Sequence, residues 1–209
     1  MIQLDHIVIA ASTLDQGARH LEQQLGVELA SGGQHLGFGT HNRLLHCGHG
    51  AYLELIAIDP AQTELLHPIP FGLGTVAMQA SIAVKPRLIA WVASTDNMSN
   101  ALLNHQDKMG KAVTMSRGNL SWTIRQRADG CPVPEGLPTM IDWGPDTPHP
   151  CTRLPDVGVR LLKLQVATSI AAHGGLKREL KDPRIFIKPA ARPAITAQLQ
   201  LPNGSLVDL

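Results

Sequence analysis

The chemistry of this chain turns on Glu54. It lies in Ala51–Ile58, AYLELIAI, an apolar run with a single acid. Strand side chains alternate between faces, so Glu54 shares a face with Tyr52 and Ile56, while Leu53, Leu55 and Ala57 take the other. An unpaired charge buried among such neighbours is very costly. The carboxylate therefore stands at a wet surface, is paired, or holds a metal. Upstream, His35, Thr40, His41 and Asn42 crowd a glycine-rich turn. Glycine lets the backbone approach a ligand closely, and these side chains offer donors and acceptors of several kinds. One reading is a polar clamp on a substrate carbonyl or carboxylate, made by His35, Thr40 and Asn42. The other is a loop whose Thr and Asn satisfy its own backbone. His41 is expected to point outward, His46 to be core or surface, and His20, His49, His67, His105 and His173 to be surface residues.

Several chemistries have no motif here. There is no Gly-x-Ser-x-Gly elbow, phosphate loop, His-Glu-x-x-His pair or dinucleotide fingerprint, and Gly37-Phe38-Gly39 reads as a turn. Cys47 beside His46 makes a poor nucleophile–base pair, because strand neighbours point to opposite faces. The 209 residues suffice for one large domain or two small ones. Hydrophobic content of 44% and charged content of 17% are globular values. A net charge of +1 with no basic block argues against a nucleic-acid partner. No apolar run reaches the roughly 18 residues that cross a bilayer. Cys47, Cys131 and Cys151 are odd in number and irregular in spacing, as expected of reduced thiols in a cytoplasmic protein.

These residues need elements to hold them. Leu4–Ala10 reads as a strand. Ser12-Thr13 offers an N-cap for a helix over Leu14–Leu25, and Gly26 a stop. Val27–Ala30 is expected as a short strand and Ser31-Gly32-Gly33 as a turn. Arg43–Cys47 and Ala51–Ile58 are strands joined by Gly48-His49-Gly50. Between residues 61 and 86 lies a connector, in which Gly72–Val84 suggests a short helix or a lid. Further on come a hairpin around Gly118-Asn119 and the proline-rich loops Ala128–Pro138 and Gly144–Pro155, of a kind that often lines sites. The chain ends with strands at Ile185–Lys188, Ile195–Leu201 and Ser205–Leu209, the last two joined by an Asn-Gly turn.

The strand opening this series recurs. His6–Ser12 aligns without gaps on Leu88–Ser94 and on Lys163–Ser169, each before a plausible helix: Leu14–Leu25, Asp96–Met109 and Ser169–Leu180. The unit endings also correspond: Tyr52-Leu53-Glu54-Leu55, Met140-Ile141-Asp142-Trp143 and Leu206-Val207-Asp208-Leu209. The expected organisation is α+β, with strand-helix-three-strand (βαβββ) modules in tandem forming a curved mixed sheet around a cleft. They run over residues 1–60, 87–150 and 151–209, within one compact domain. The last stretch is either a third module or a C-terminal extension to a twofold repeat.

With a His in its first strand and a Glu in its last, this repeated unit resembles the vicinal oxygen chelate superfamily of glyoxalases, extradiol dioxygenases and fosfomycin-resistance enzymes. Leu4-Asp5-His6, the run Gly33…His35…Gly39-Thr40-His41-Asn42, Tyr52-Leu53-Glu54-Leu55, Pro138–Trp143 and Leu201-Pro202-Asn203-Gly204 are similar, more narrowly, to its glyoxalase-like domain branch. The resemblance implies paired modules curled into a half-barrel and a divalent metal (Zn, Mn, Fe or Ni) held by His6 and Glu54, with Asp142 as the matching acid of the second module. Leu88, where a further ligand is expected, cannot ligate. Lys163 and Asp208 suggest a salt bridge in the third unit. Two functions follow. One is a metal-dependent isomerase, lyase or dioxygenase acting on a small oxygenated substrate, with Glu54 as ligand and proton acceptor, His35 or Asn42 orienting the substrate, and Trp143 and His149 at the cup mouth. The other is a non-catalytic small-molecule binding protein without cofactor, in which His6 and Glu54 hydrogen-bond each other. Pairing of modules between chains, common in the superfamily, implies a homodimer.

Overall fold

The computed structural model describes residues 2–118 and 120–209. Asn119, half of the expected hairpin turn, lies outside them. The first module comprises β1 (Gln3–Ala10), α1 (Leu14–Leu25), β2 (Ala30–His35), β3 (Thr40–His46) and β4 (Tyr52–Ile58). The connector carries α2 (Val76–Ile82). The second module has β5 (Arg87–Ser94), the short α3 (Gln106–Met109), β6 (Lys111–Arg117), β7 (Leu120–Gln126) and β8 (Thr139–Asp142). The C-terminal unit has β9 (Arg160–Thr168), α4 (Ile170–Glu179), β10 (Ile185–Pro189), β11 (Ala194–Gln200) and β12 (Leu206–Asp208).

The fold is α+β. Its main sheet has eight strands in the order β2-β3-β4-β1-β5-β8-β7-β6, curled into a half-barrel. In both modules the first strand pairs in parallel with the last, β1 with β4 and β5 with β8, and the antiparallel β1–β5 pair joins the halves. The cup is thus completed by the two modules of a single chain.

The two faces of the sheet are sharply different. Val8, Ile56, Val92, Met115, Trp122 and Ile141 pack together on the concave side. Ile7, Ile9, Leu53, Leu55, Trp91 and Met140 pack on the convex side against Leu21 and Leu25 of α1 and against Leu164, Val166 and Leu199 of the C-terminal unit. The alternation along β4 thereby puts Tyr52, Glu54 and Ile56 in the cup.

The capping signals around α1 act as expected. The Thr13 side chain accepts from the Gln16 N–H, and Gly26 ends the helix in the left-handed region at φ 69°. Other elements differ. The helix expected over Asp96–Met109 shrinks to its last turns, because its backbone groups are drawn to tertiary partners. Leu102 is left-handed at φ 46°, its N–H donates to Glu179, and the Met98 carbonyl accepts from Arg125. His105, expected at the surface, is buried. Ser31-Gly32-Gly33 is not a turn but part of β2, where the pairing to β3 jumps from Ser31–Arg43 to Gln34–His41.

The C-terminal unit is paired differently from the two modules. Its parallel neighbour to β9 is β10, the strand directly after the helix, and the order is β10-β9-β11-β12. Lys163 and Asp208 do not meet as expected. The lysine ammonium lies 4.9 Å from the Phe186 ring, and Asp208 accepts from Gln198.

Candidate functional site

A bulge in β1 builds the centre of the cup. Leu4 pairs with Ala93 and His6 with Val92, so Asp5 is an extra residue opposite β5. Such a bulge re-aims side chains, and here two sequence neighbours reach one cluster. His6 Nδ1–H donates to Asp5 Oδ1 at 2.7 Å, and His6 Nε2 lies 3.5 Å from Glu54 Oε2. The other Asp5 oxygen accepts from Trp143 Nε1–H at 2.9 Å and from His149 Nε2–H at 3.2 Å. Tyr52 stacks on the His6 ring at 4.4 Å. All three charged groups are buried.

The electrostatics follow from this geometry. Burial alone would lower the His6 pKa, but hydrogen bonds to Asp5 and Glu54, and their charges, outweigh it and raise it to about 9. Burial alone would raise Glu54; the His6 hydrogen bond and charge, with help from His35 and Asn42, bring it down to about 2. Asp5 is held well below the ordinary carboxylate range against its burial, by hydrogen bonds from His149 and His6. The centre is therefore an imidazolium between two carboxylates.

Stability should follow these shifts. The His6 contribution is fully present below its ordinary 6.5 and is lost as pH rises through about 9. The Glu54 contribution is present above 4.5 and is lost as pH falls through about 2. Urea midpoints should therefore decline on both sides of the range from 4.5 to 6.5. Glu54→Gln should flatten the alkaline decline, and an alkaline limb identical in that variant would contradict the assignment.

The expected clamp residues gather on Glu54. Asn42 Nδ2 donates to Glu54 Oε1 at 2.6 Å and lies 3.3 Å from His35 Nε2. His35 Nδ1 meets Thr40 Oγ1 at 2.9 Å. Burial lowers the His35 pKa, and the Arg117 charge adds to this against the pull of Glu54. The glycine bulge of β2 orients Asn42, because the Gly33 N–H donates to Asn42 Oδ1 at 2.9 Å. At Gly32 a Cβ would stand 2.0 Å from that oxygen and 2.6 Å from the Asn42 carbonyl oxygen. Gly32→Ala should therefore cost about 1–3 kcal/mol by overpacking and displace Asn42. A variant with wild-type melting behaviour and unchanged Asn42 amide resonances would show that the backbone gives way freely.

The remaining expected residues divide. Trp143 lines the cavity, with its indole N–H committed to Asp5. Both His149 nitrogens are engaged, by Asp5 and by the Cys151 N–H, so this ring braces Asp5 and does not line the cavity. Asp142 is a correction. Ile141 and Thr139 face the cup, so Asp142 faces away, and its carboxylate accepts from the Gly144 N–H. Asp5 was missed because adjacent residues of a regular strand diverge. Arg117 was also missed; it lines the cup wall from β6.

The donor set does not fit the expected divalent cation. Among the described residues, no three His, Cys, Asp or Glu side chains are gathered to hold one. Glu54 Oε1 is taken by Asn42, and the cup-facing positions of β5 and β8 are Ala90, Val92, Thr139 and Ile141. The cavity is about 70 Å³, room for several waters at ~10–15 Å³ each, with Phe38, Ile56, Phe71, Met115, Trp122 and Ile141 among its apolar walls.

The model of the glyoxalase-like domain matches residues 4–177, most of the chain. The chain belongs to the glyoxalase-like domain family. Among solved structures, a hypothetical protein from Staphylococcus aureus is 14% identical with a TM-score of 0.58, covering 100% of this chain and 98% of that one; it shares the fold. Methylmalonyl-CoA epimerases from Streptomyces coelicolor and Mycobacterium tuberculosis match at 16% and 19% identity, with TM-scores of 0.43 and 0.41. Each alignment covers 68% of this chain, and 94% and 88% of those chains respectively. These scores are too low to bear on chemistry. No curated protein matches the sequence. Within this glyoxalase-like chain, both modules keep the family's half-barrel, and the first module supplies His6, His35, Asn42 and Glu54. No helix among the described residues is long and apolar enough to cross a membrane.

Proposed function

We propose that this glyoxalase-like protein is an enzyme that moves a proton on a small oxygenated substrate, in an isomerase- or lyase-type reaction, with Glu54 as the base. The observation that carries this reading is the His6–Glu54 contact of 3.5 Å at the floor of an apolar cavity. Charge-assisted hydrogen bonds usually run ~2.7–2.9 Å, so this pair is loosely closed. A substrate carbonyl oxygen entering between the two receives the His6 Nε2–H. Glu54, released from its cation, takes the proton from the adjacent carbon. The C–H electron pair becomes a carbon–carbon double bond and the carbonyl π pair moves onto oxygen, where the imidazolium stabilises the enolate as charge builds. With an α-hydroxy carbonyl substrate, the hydroxyl proton passes to the enolate oxygen and the Glu54 proton returns to the former carbonyl carbon, which completes an isomerisation. Asn42 holds the other Glu54 oxygen, and Asp5 fixes the His6 ring.

The donor set supports doing this without a divalent cation. A second reading, a binding protein without catalysis, is favoured by the Glu54 pKa of about 2, which makes it a weak base until the ion pair opens. The test is uptake of solvent deuterium beside the carbonyl of small ketones and oxo acids, followed by proton NMR after dialysis against a chelator. Uptake by wild type that is lost in Glu54→Gln is expected. Uptake absent from wild type would favour the binding protein, and uptake that vanishes with the chelator and returns with Mn or Zn would overturn the metal-free form.

A further inference from the structure

Resting on that reading of the cup, we infer that its ligand carries a carboxylate, and that Arg117 holds it. Arg117 ends β6 on the face it shares with Val113 and Met115, which pack in the concave cluster. Its side chain crosses to the far edge of the sheet and lies over Gly33 of β2. A Cβ there would stand 2.7 Å from Arg117 Cδ and 2.8 Å from Nη1. Arginine from the second module and glycine from the first thus fit each other where the half-barrel closes. The guanidinium carbon lies 6.0 Å from the Trp122 ring centroid.

What this arginine lacks is a partner. Nη1 is buried without a hydrogen-bond acceptor, and among the described residues no carboxylate lies within ion-pair distance of the guanidinium. A buried donor left unmade is costly and calls for an explanation. The neighbourhood supplies one. The cavity that Arg117 lines also holds Glu54 and His6. Two more arginines line it, but both are committed: Arg125 donates to the Gly110 and Met98 carbonyls, and Arg127 pairs with Asp129, so that of the three only Arg117 has neither a hydrogen-bond acceptor nor an ion-pair partner among the described residues. The planar guanidinium fork matches a carboxylate in geometry and charge. His35 stands between the two ends, edge-on to Trp122 at 6.4 Å and 3.9 Å from Glu54. A compact oxo- or hydroxy-carboxylate would place its acid on Arg117 and its reactive oxygen at His6. A dianionic phosphate is disfavoured, because its second charge would face Glu54 across an apolar cavity of about 70 Å³.

Calorimetric titration of the full chain with pyruvate, lactate and levulinate, each against its methyl ester, and with inorganic phosphate tests the assignment. At least one acid should bind in the millimolar range or tighter, and about tenfold or more better than its ester, as expected for a hydrogen bond to a charged group. Arg117→Gln should erase the preference, and Arg117→Lys should restore part of it. Arg117→Gln should also melt no lower than wild type, since it removes a buried donor that has no partner. The assignment is overturned if no acid outbinds its ester, if the preference survives in Arg117→Gln, if phosphate outbinds every acid, or if that variant is markedly destabilised. Glu54-dependent deuterium uptake with no acid preference would end the carboxylate assignment and leave proton transfer standing. Arg117-dependent acid binding without uptake would do the reverse.

Discussion

Asp5→Ala should destabilise the protein by about 3–5 kcal/mol, the scale seen when one partner of a buried ion pair is removed. Asp5 has no exposed surface, and its two oxygens meet His6, Trp143 and His149. Truncation leaves the His6, Trp143 and His149 donors without their common acceptor. It also removes the first restraint on the His6 ring, so that the cation keeps only Glu54 at 3.5 Å. For a chain of this size the loss corresponds to a fall in Tm of about 2–4 °C per kcal/mol. Asp5→Asn should fall between, since the amide retains one acceptor and loses the charge. Thermal melts near neutral pH decide the matter. A fall of less than about 1 kcal/mol, the range of an ordinary single hydrogen bond, would mean that water replaces Asp5 and that the cluster is no hub.

The contrast between Asp5 and Glu54 shows what can be read from a sequence of this kind. Glu54 lies in a regular strand, so period-two alternation places it correctly with Tyr52 and Ile56. The concave face seen along β4 is the one that alternation predicts. The α1 cap and stop are equally local, set by Thr13 and Gly26. Asp5 is hidden because its orientation depends on a bulge, and the bulge exists only in the pairing with β5, some ninety residues away. The same limit explains Gly32-Gly33. Two glycines look like a turn, yet pairing with β3 stretches them into a bulge that feeds an N–H to Asn42. Asp142 fails for a related reason. Aligning Met140–Trp143 on Tyr52–Leu55 matches acid with acid, but the observed strand points Ile141 into the cup, and one residue of slip exchanges the faces. Arg117 is legible only once β6 and β2 are known to meet.

Glu54→Gln should abolish most turnover while costing less stability than Asp5→Ala, and this pairing of outcomes separates a base from a strut. Glutamine has the same shape, its carbonyl oxygen can still accept from Asn42 Nδ2, and His6 keeps its hydrogen bond to Asp5. The substitution therefore leaves no cavity, and its effect on melting should be smaller than that of Asp5→Ala. Its effect on proton transfer should be large, because an amide cannot take the proton. A positioned general base typically contributes ~10²–10⁴-fold, and the decrease should appear in kcat with little change in KM, since the interaction is made in the transition state. Glu54→Asp is the sharper control. It keeps the charge and withdraws the carboxylate by one methylene, and a displacement of about 1 Å at a reacting centre can cost ~10²-fold. Deuterium uptake measured for the three proteins should fall in the order wild type, Glu54→Asp, Glu54→Gln. Equal rates for wild type and Glu54→Gln would remove Glu54 from the chemistry and leave the His6–Glu54 pair as a structural contact in a binding pocket.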